Sequence, residues 1–222
     1  RQGTGIAKNL EQAAIWFERA AQSGRASAQC ELGKMHLKGQ GVPTDTAKAA
    51  TLFAQASQQG DTEAHYQLAL LLAEGNGITQ DKSHALTLCS QAAEGGHLEA
   101  QRALTEWLHY GENKDLKLAF AWTVKAAQQG DPFSQLATGR MYFFGWGVEQ
   151  NRELAFEWYT KSAQQGNDIA QYCLANMYQY GNGTIQDLQQ ALYWFGRGVA
   201  QGDLDAQDQI NKINARLNQA AA

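Results

Sequence analysis

Five histidines (His36, His65, His84, His97, His109) and three cysteines (Cys30, Cys89, Cys173) are the residues of this 222-residue sequence suited to metal ligation or nucleophilic chemistry. A metal needs several of them at ligand spacing, as in His-Glu-x-x-His or a Cys/His cluster. None stand so. No Ser or Cys carries the local signature of a nucleophile with a base and an orienting group in reach. Recurring Gly-x-Gly turns invite comparison with phosphate-cradling loops, but they follow helical patterns, without Gly-Lys-Ser/Thr or a third glycine at the dinucleotide spacing. The sequence thus reads as non-enzymatic, with no cofactor and no metal. His36 is expected as a packed core residue, and the three thiols as small buried or half-buried side chains.

Recognition is the chemistry that the residue types do support. Phe133, Leu136, Arg140, Phe143, Phe144 and Trp146 are grouped in one stretch, with His109 and Tyr110 before it and Ile169, Tyr172 and Tyr180 after it. Rings gathered around an arginine are what binding hot spots are made of. A second set is ionic: Lys34 and Lys38, then Glu63, Glu74 and Glu99. With Arg140, these charges would set the register of a bound chain.

Repetition must position these groups. Gly24, Gly60, Gly96, Gly130, Gly166 and Gly202 recur at intervals of 36, 36, 34, 36 and 36 residues. Asn9, Asp45, Asp81, Asp115, Asn151 and Asp187 follow the same series, as do alanines from Ala13 to Ala191. Short side-chain oxygens read as N-caps, and the recurring glycines as helix ends. Between them, bulky pairs such as Leu52-Phe53 and Trp158-Tyr159 precede small residues by four. The preceding segment of each repeat carries small-then-large pairs such as Ala28 and Leu32-Gly33. Each repeat is therefore a tightly packed helical hairpin, with no alternating pattern to suggest strands.

The pattern Ala-x-x-x-Leu-Gly-x-x-Tyr, Gly-x-Gly-Val, Asp/Asn, Ala-x-x-Trp-Tyr-x-x-Ala-Ala-x-x-Gly resembles the Sel1-like repeat, a relative of the tetratricopeptide repeat. Tyr142, Gly145-Trp146-Gly147-Val148 and Trp158-Tyr159 carry it best, with Leu174 to Tyr178, Gly181-Asn182-Gly183, Asp187, Ala191 and Trp194-Phe195. Departures are His36 and Leu72 at the Tyr position, Thr138 at the Leu position, and a third repeat two residues short, with Gly111-Glu112-Asn113-Lys114 in its turn. The resemblance implies an all-α, right-handed α/α solenoid whose first helices line a concave groove, and a bacterial adaptor in signalling, envelope or host interaction. It implies a periplasmic, secreted or surface setting without closing off the cytoplasm. Some relatives carry a cysteine pair in each repeat, a pattern absent here. Those disulfide-rich relatives suggest a second function, a periplasmic protein that binds peptidoglycan fragments or β-lactams with weak hydrolase activity.

One solenoid is expected over 1–222, because stacked repeats have no single globular core to outgrow. Residues 1–24 form a partial repeat with only its second helix. Complete repeats span 25–60, 61–96, 97–130, 131–166 and 167–202, and 203–222 form a capping helix with Ala206, Ile210, Ile213 and Leu217 as its apolar stripe. The chain opens at Arg1 inside a repeat, at the turn Gly3-Thr4-Gly5-Ile6, and so reads as a piece of a longer protein. The half repeat would leave an open face able to self-associate. Eighteen basic against twenty-two acidic residues give a net charge of −4, which provides no electrostatic footprint for nucleic acid. No apolar run is long enough to span a membrane. The expected partner is a protein or peptide.

Overall fold

A computed structural model describes residues 9–111 and 114–220. The opening turn at Gly3-Thr4-Gly5-Ile6, Glu112-Asn113 in the shortened turn, and Ala221-Ala222 lie outside the described residues. Among the described residues every regular element is an α-helix. The chain divides into two compact halves, Arg1–Leu104 and Thr105–Ala222.

The N-terminal half contains α1 (Leu10–Gln22), α2 (Ala26–Lys38), α3 (Thr46–Ser57), α4 (Thr62–Glu74), α5 (Lys82–Glu94) and the start of α6 (Leu98–Tyr110). From α1 to α5, consecutive helices pack against one another. The C-terminal half contains the end of α6, then α7 (Leu116–Gln128), α8 (Pro132–Phe144), α9 (Arg152–Gln164), α10 (Asp168–Tyr180), α11 (Leu188–Val199) and α12 (Leu204–Ala220). From α7 onward each helix again packs on its successor. Successive helical hairpins of this kind are the building plan of an all-α solenoid.

The helices begin where the sequence places their caps. Asn9, Asp45, Asp81, Asp115, Asn151 and Asp187 each accept a hydrogen bond from a backbone N–H in the first turn that follows. A second cap series opens the other helix of the hairpin: Asp61, Asp131 and Asn167 accept from Ala64, Ser134 and Ala170 N–H groups at 2.7–2.9 Å. At the corresponding position before α6, the Nδ1 of His97 accepts from Ala100 N–H at 3.2 Å.

Ring-against-small packing closes the first and fourth hairpins. A Cβ at Gly33 would come within 2.7 Å of the Phe53 ring, and one at Gly139 within 2.6 Å of the Tyr159 ring. Phe53 and Phe195 are completely buried, and Tyr159 nearly so. Where the first member of the bulky pair is a tryptophan, it lies nearer the surface and carries a cation three residues on, as with Lys125 over Trp122 at 4.0 Å and Lys161 over Trp158 at 4.2 Å.

Repeats are also stitched by a polar series. Buried Gln29, Gln135 and Gln171 donate to the carbonyls of Ala21, Ala127 and Ala163, near the end of the preceding helix. The same three side chains accept from Gln59, Gln165 and Gln201, thirty residues further along. Each glutamine amide therefore adds a second donor to a helix-terminal carbonyl that already accepts from the glycine N–H three residues on.

The Gly-x-Gly turn of the fourth repeat does two jobs. Gly145 ends α8 with a left-handed backbone (φ 75°), its N–H returning to the Met141 carbonyl. Gly147 (φ 73°) lies against the start of α7, where a Cβ would collide with the Leu116 carbonyl. Glycine is required there by conformation and by contact.

His36 is buried, with Nδ1 3.1 Å from the Pro43 carbonyl and Nε2 without a partner. Cys30 and Cys89 are buried and Cys173 partly so; all three are free thiols. Burial pushes Cys30 and Cys89 up to about 12, the nearby acids Asp61 and Glu63 adding to the rise at Cys30. Such thiols are unreactive at neutral pH. On α12, Ala206 and Ile213 are buried, while Leu217 stays more than a third exposed.

Candidate functional site

The aromatic residues singled out by the sequence are in the C-terminal half. His109 and Tyr110 end α6. Phe133, Leu136, Arg140, Phe143 and Phe144 lie along α8, and Trp146 occupies the turn after it. Ile169, Tyr172 and Tyr180 lie along α10.

Five of these rings form one connected chain. Tyr110 is 4.3 Å from His109, centroid to centroid, and His109 meets Trp146 edge-on at 5.5 Å. Trp146 stacks on Phe144 at 4.8 Å with 20° between planes, and Phe144 meets Phe143 edge-on at 5.0 Å. The Arg140 guanidinium lies 5.9 Å from the Trp146 ring, and that of Arg152 lies 5.8 Å from Phe143. The two glycines of the turn bring Trp146 back over α8, so that a loop residue joins a helical row.

Exposure separates the rings that can meet a partner from those that hold the fold. Tyr110 is 80% exposed, Phe133 57% and Phe144 52%, with Ile169 and Tyr180 also more than half exposed. Trp146 and His109 are half-buried. Phe143 and Tyr172 are half-buried too and pack against the hydrophobic core of this half; Tyr172 also meets Phe195 edge-on at 5.4 Å. Leu136 requires a correction: at 7% exposure it belongs to that core and offers nothing to a partner. Its position is buried when the side chain is short, as for Cys30 and Leu136. Longer side chains there, Tyr66, Tyr172 and Arg102, reach out.

The local field is positive. Burial lowers the His109 imidazole below its ordinary value, and the charges of Lys114 and Arg140 push it further down. His109 is therefore neutral at pH 7. Arg140 also acts inward: burial raises the Tyr159 phenol and the Cys173 thiol, and the Arg140 charge opposes both shifts.

The ionic residues of the N-terminal half are arranged differently. Lys34 Nζ lies 2.5 Å from Glu31 and 4.0 Å from Glu63. Glu63 accepts from His97 Nε2 at 2.9 Å and from Gln67 at 2.9 Å. Because His97 Nδ1 is the acceptor for Ala100 N–H, its proton belongs on Nε2. Glu99 approaches that same Nδ1 at 3.5 Å. Burial raises the Glu63 carboxyl, but the hydrogen bonds from His97 and Gln67 and the Lys34 charge outweigh it, and the net shift is downward. Lys34 and Glu63 thus tie neighbouring repeats together, whereas Glu99 meets a ring of its own repeat and, like Lys38 and Glu74, is exposed.

Sequence patterning missed Lys114 and Arg152 as part of the aromatic surface. Arg152 follows the cap residue Asn151, a place that reads as helix start rather than site; its guanidinium also donates to Asn182 Oδ1 at 3.3 Å. Among the described residues no group of His, Cys, Asp and Glu is arranged to hold a metal ion, and no helix is long and apolar enough to cross a membrane.

The Sel1 repeat family model matches residues 1–24, 26–61, 62–97, 98–131, 132–167 and 168–203. A protective antigen present in uropathogenic Escherichia coli strains, described as displaying an SLR fold, is similar at 36% identity over 100% of this chain, with a TM-score of 0.89. The match covers 47% of that protein, so this chain spans about half its length. A Sel1 repeat protein from Oxalobacter formigenes is similar at 26% identity over 93% of this chain and 88% of its own, with a TM-score of 0.71. No curated protein matches the chain.

Proposed function

Because the chain belongs to the Sel1 repeat family, whose members are in general non-enzymatic protein-interaction scaffolds, we propose that it is an adaptor that receives a segment of a partner protein on the aromatic face of its C-terminal half. The observation that supports this reading is the row Tyr110, His109, Trp146, Phe144: rings in mutual contact, with the first and last exposed. Folding gains little from leaving two large rings in water, whereas binding gains area and a rigid surface. Phe143, Tyr172 and Leu136 support that surface from beneath. Phe133, Ile169 and Tyr180 extend it along α8 and α10.

Trp146 is the informative residue for a test, because the other Gly-x-Gly turns carry Gln40, Asn76 and Asn182 at its place. Trp146→Asn therefore restores a residue the turn already accommodates. Partners are captured by crosslinking on the wild-type chain and on Trp146→Asn/Phe144→Ala, with helicity matched by circular dichroism. Proteins retained by the first and lost from the second are the expected outcome. An identical set from both would remove this face from consideration.

A further inference from the structure

We infer, on the premise that the aromatic face of the C-terminal half is the docking surface, that the segment it receives is acidic, with Asp or Glu side chains flanking an aromatic residue. Two kinds of group meet there. The rings provide apolar area and are indifferent to charge. Around them stand Arg140, Lys114 and Arg152, all exposed. Among the described residues none of these three is in an ion pair.

The contrast lies within the chain. In the N-terminal half Lys34 is engaged by Glu31 and Glu63. Among the described residues the charges that shift His109 are the cations Lys114 and Arg140. In a protein of net charge −4, these three described cations thus place positive charge beside the exposed rings. Arg140 beside Trp146 keeps its guanidinium edge free for a two-pronged contact to a carboxylate. A basic segment would be repelled there. Three cations also fall short of the phosphate-tracking groove that a nucleic-acid strand requires.

The test uses a displayed library of random peptides, about twelve residues long, selected on the immobilised chain. Enriched sequences should carry Asp or Glu within two residues of Phe, Tyr or Trp more often than the input library. A representative peptide should lose about tenfold in affinity on Arg140→Gln/Lys114→Gln and weaken steeply with salt. Its binding should also raise the His109 titration midpoint seen by NMR, since a carboxylate would offset the two cations.

Enriched peptides that are neutral or basic, yet released by Trp146→Asn, would overturn the acidic assignment and leave the surface in place. Enrichment indifferent to Trp146→Asn, or none at all, would remove the surface and this inference with it. Binding of a short oligothymidylate with the same dependence on Trp146 and Arg140 would reassign the face to single-stranded nucleic acid and overturn the proposal.

Discussion

Gly147 and Gly130 share a left-handed backbone but not a neighbourhood. A Cβ at Gly130 (φ 91°) meets nothing within 4 Å, whereas one at Gly147 strikes the Leu116 carbonyl. Gly130→Ala should therefore cost only the backbone strain, about 1 kcal/mol. Gly147→Ala should cost about 3 kcal/mol or more, because a packed backbone must also move. Urea midpoints followed by circular dichroism separate the two; equal losses would mean that the α7 terminus yields freely. The recurrence of both glycine series was legible in the sequence, and so was their tolerance of positive φ. The collision that makes the second glycine of the turn obligatory was not, because its contact lies thirty-one residues earlier in the chain. Leu136 was misread for a related reason: the depth of its position depends on side-chain length, which a register count ignores.

At the scale of the element, the helix starts divide into those the sequence announced and those it concealed. Asn9 through Asp187 recur in strict register and were readable as caps. The series Asp61, Asp131 and Asn167 follows a glycine directly, so it merged with the turn signal. His97 in that series is not a usual capping residue, yet it caps α6 and ties it to Glu63 on α4. His97→Asn should keep the cap and lose the tie, whereas His97→Ala loses both. The alanine variant is expected to be less stable than the asparagine variant by about 1 kcal/mol, measured as a difference in thermal midpoint. The Glu63 carboxyl, held below its unfolded value, contributes stability that is present above the ordinary carboxylate range, about 4.3. That contribution is lost as pH falls through the lower folded value. Glu63→Gln should therefore be less stable than wild type at pH 7 and converge on it toward pH 3, in denaturation curves taken across that range. A constant offset at all pH values would detach Glu63 from acid sensitivity. The glutamine series escaped notice altogether: only the geometry shows the amides of Gln29, Gln135 and Gln171 spent on helix-end carbonyls.

At the scale of the molecule, repeats that touch mainly their chain neighbours make stability local. The hairpin class was fully legible, because a period near 36 residues leaves room for two helices and little else. Phe53 is completely buried in the N-terminal half, and Phe53→Ala removes a side chain worth about 3–5 kcal/mol. Hydrogen exchange should then quicken in α2 to α5 while amides of α10 and α11 keep their protection, as a nearest-neighbour stack requires. Uniform loss across all helices would instead report one cooperative block. In the same way, a peptide held at the aromatic face should slow exchange at the end of α6 and along α8 without altering α3.

Trp146 is flanked by two residues that have no side chains, and those two carry every constraint of the turn: Gly145 the bend, Gly147 the fit against α7. The residue between them is consequently free to vary in type. Its counterparts Gln40, Asn76 and Asn182 show the same slot filled with other chemistry. Such a slot behaves as a socket, in which a side chain can be exchanged without disturbing the masonry on either side. A tryptophan plugged in at Asn76 would carry a ring to another address on the protein, and lineages of such arrays can acquire new ligands by editing sockets one at a time.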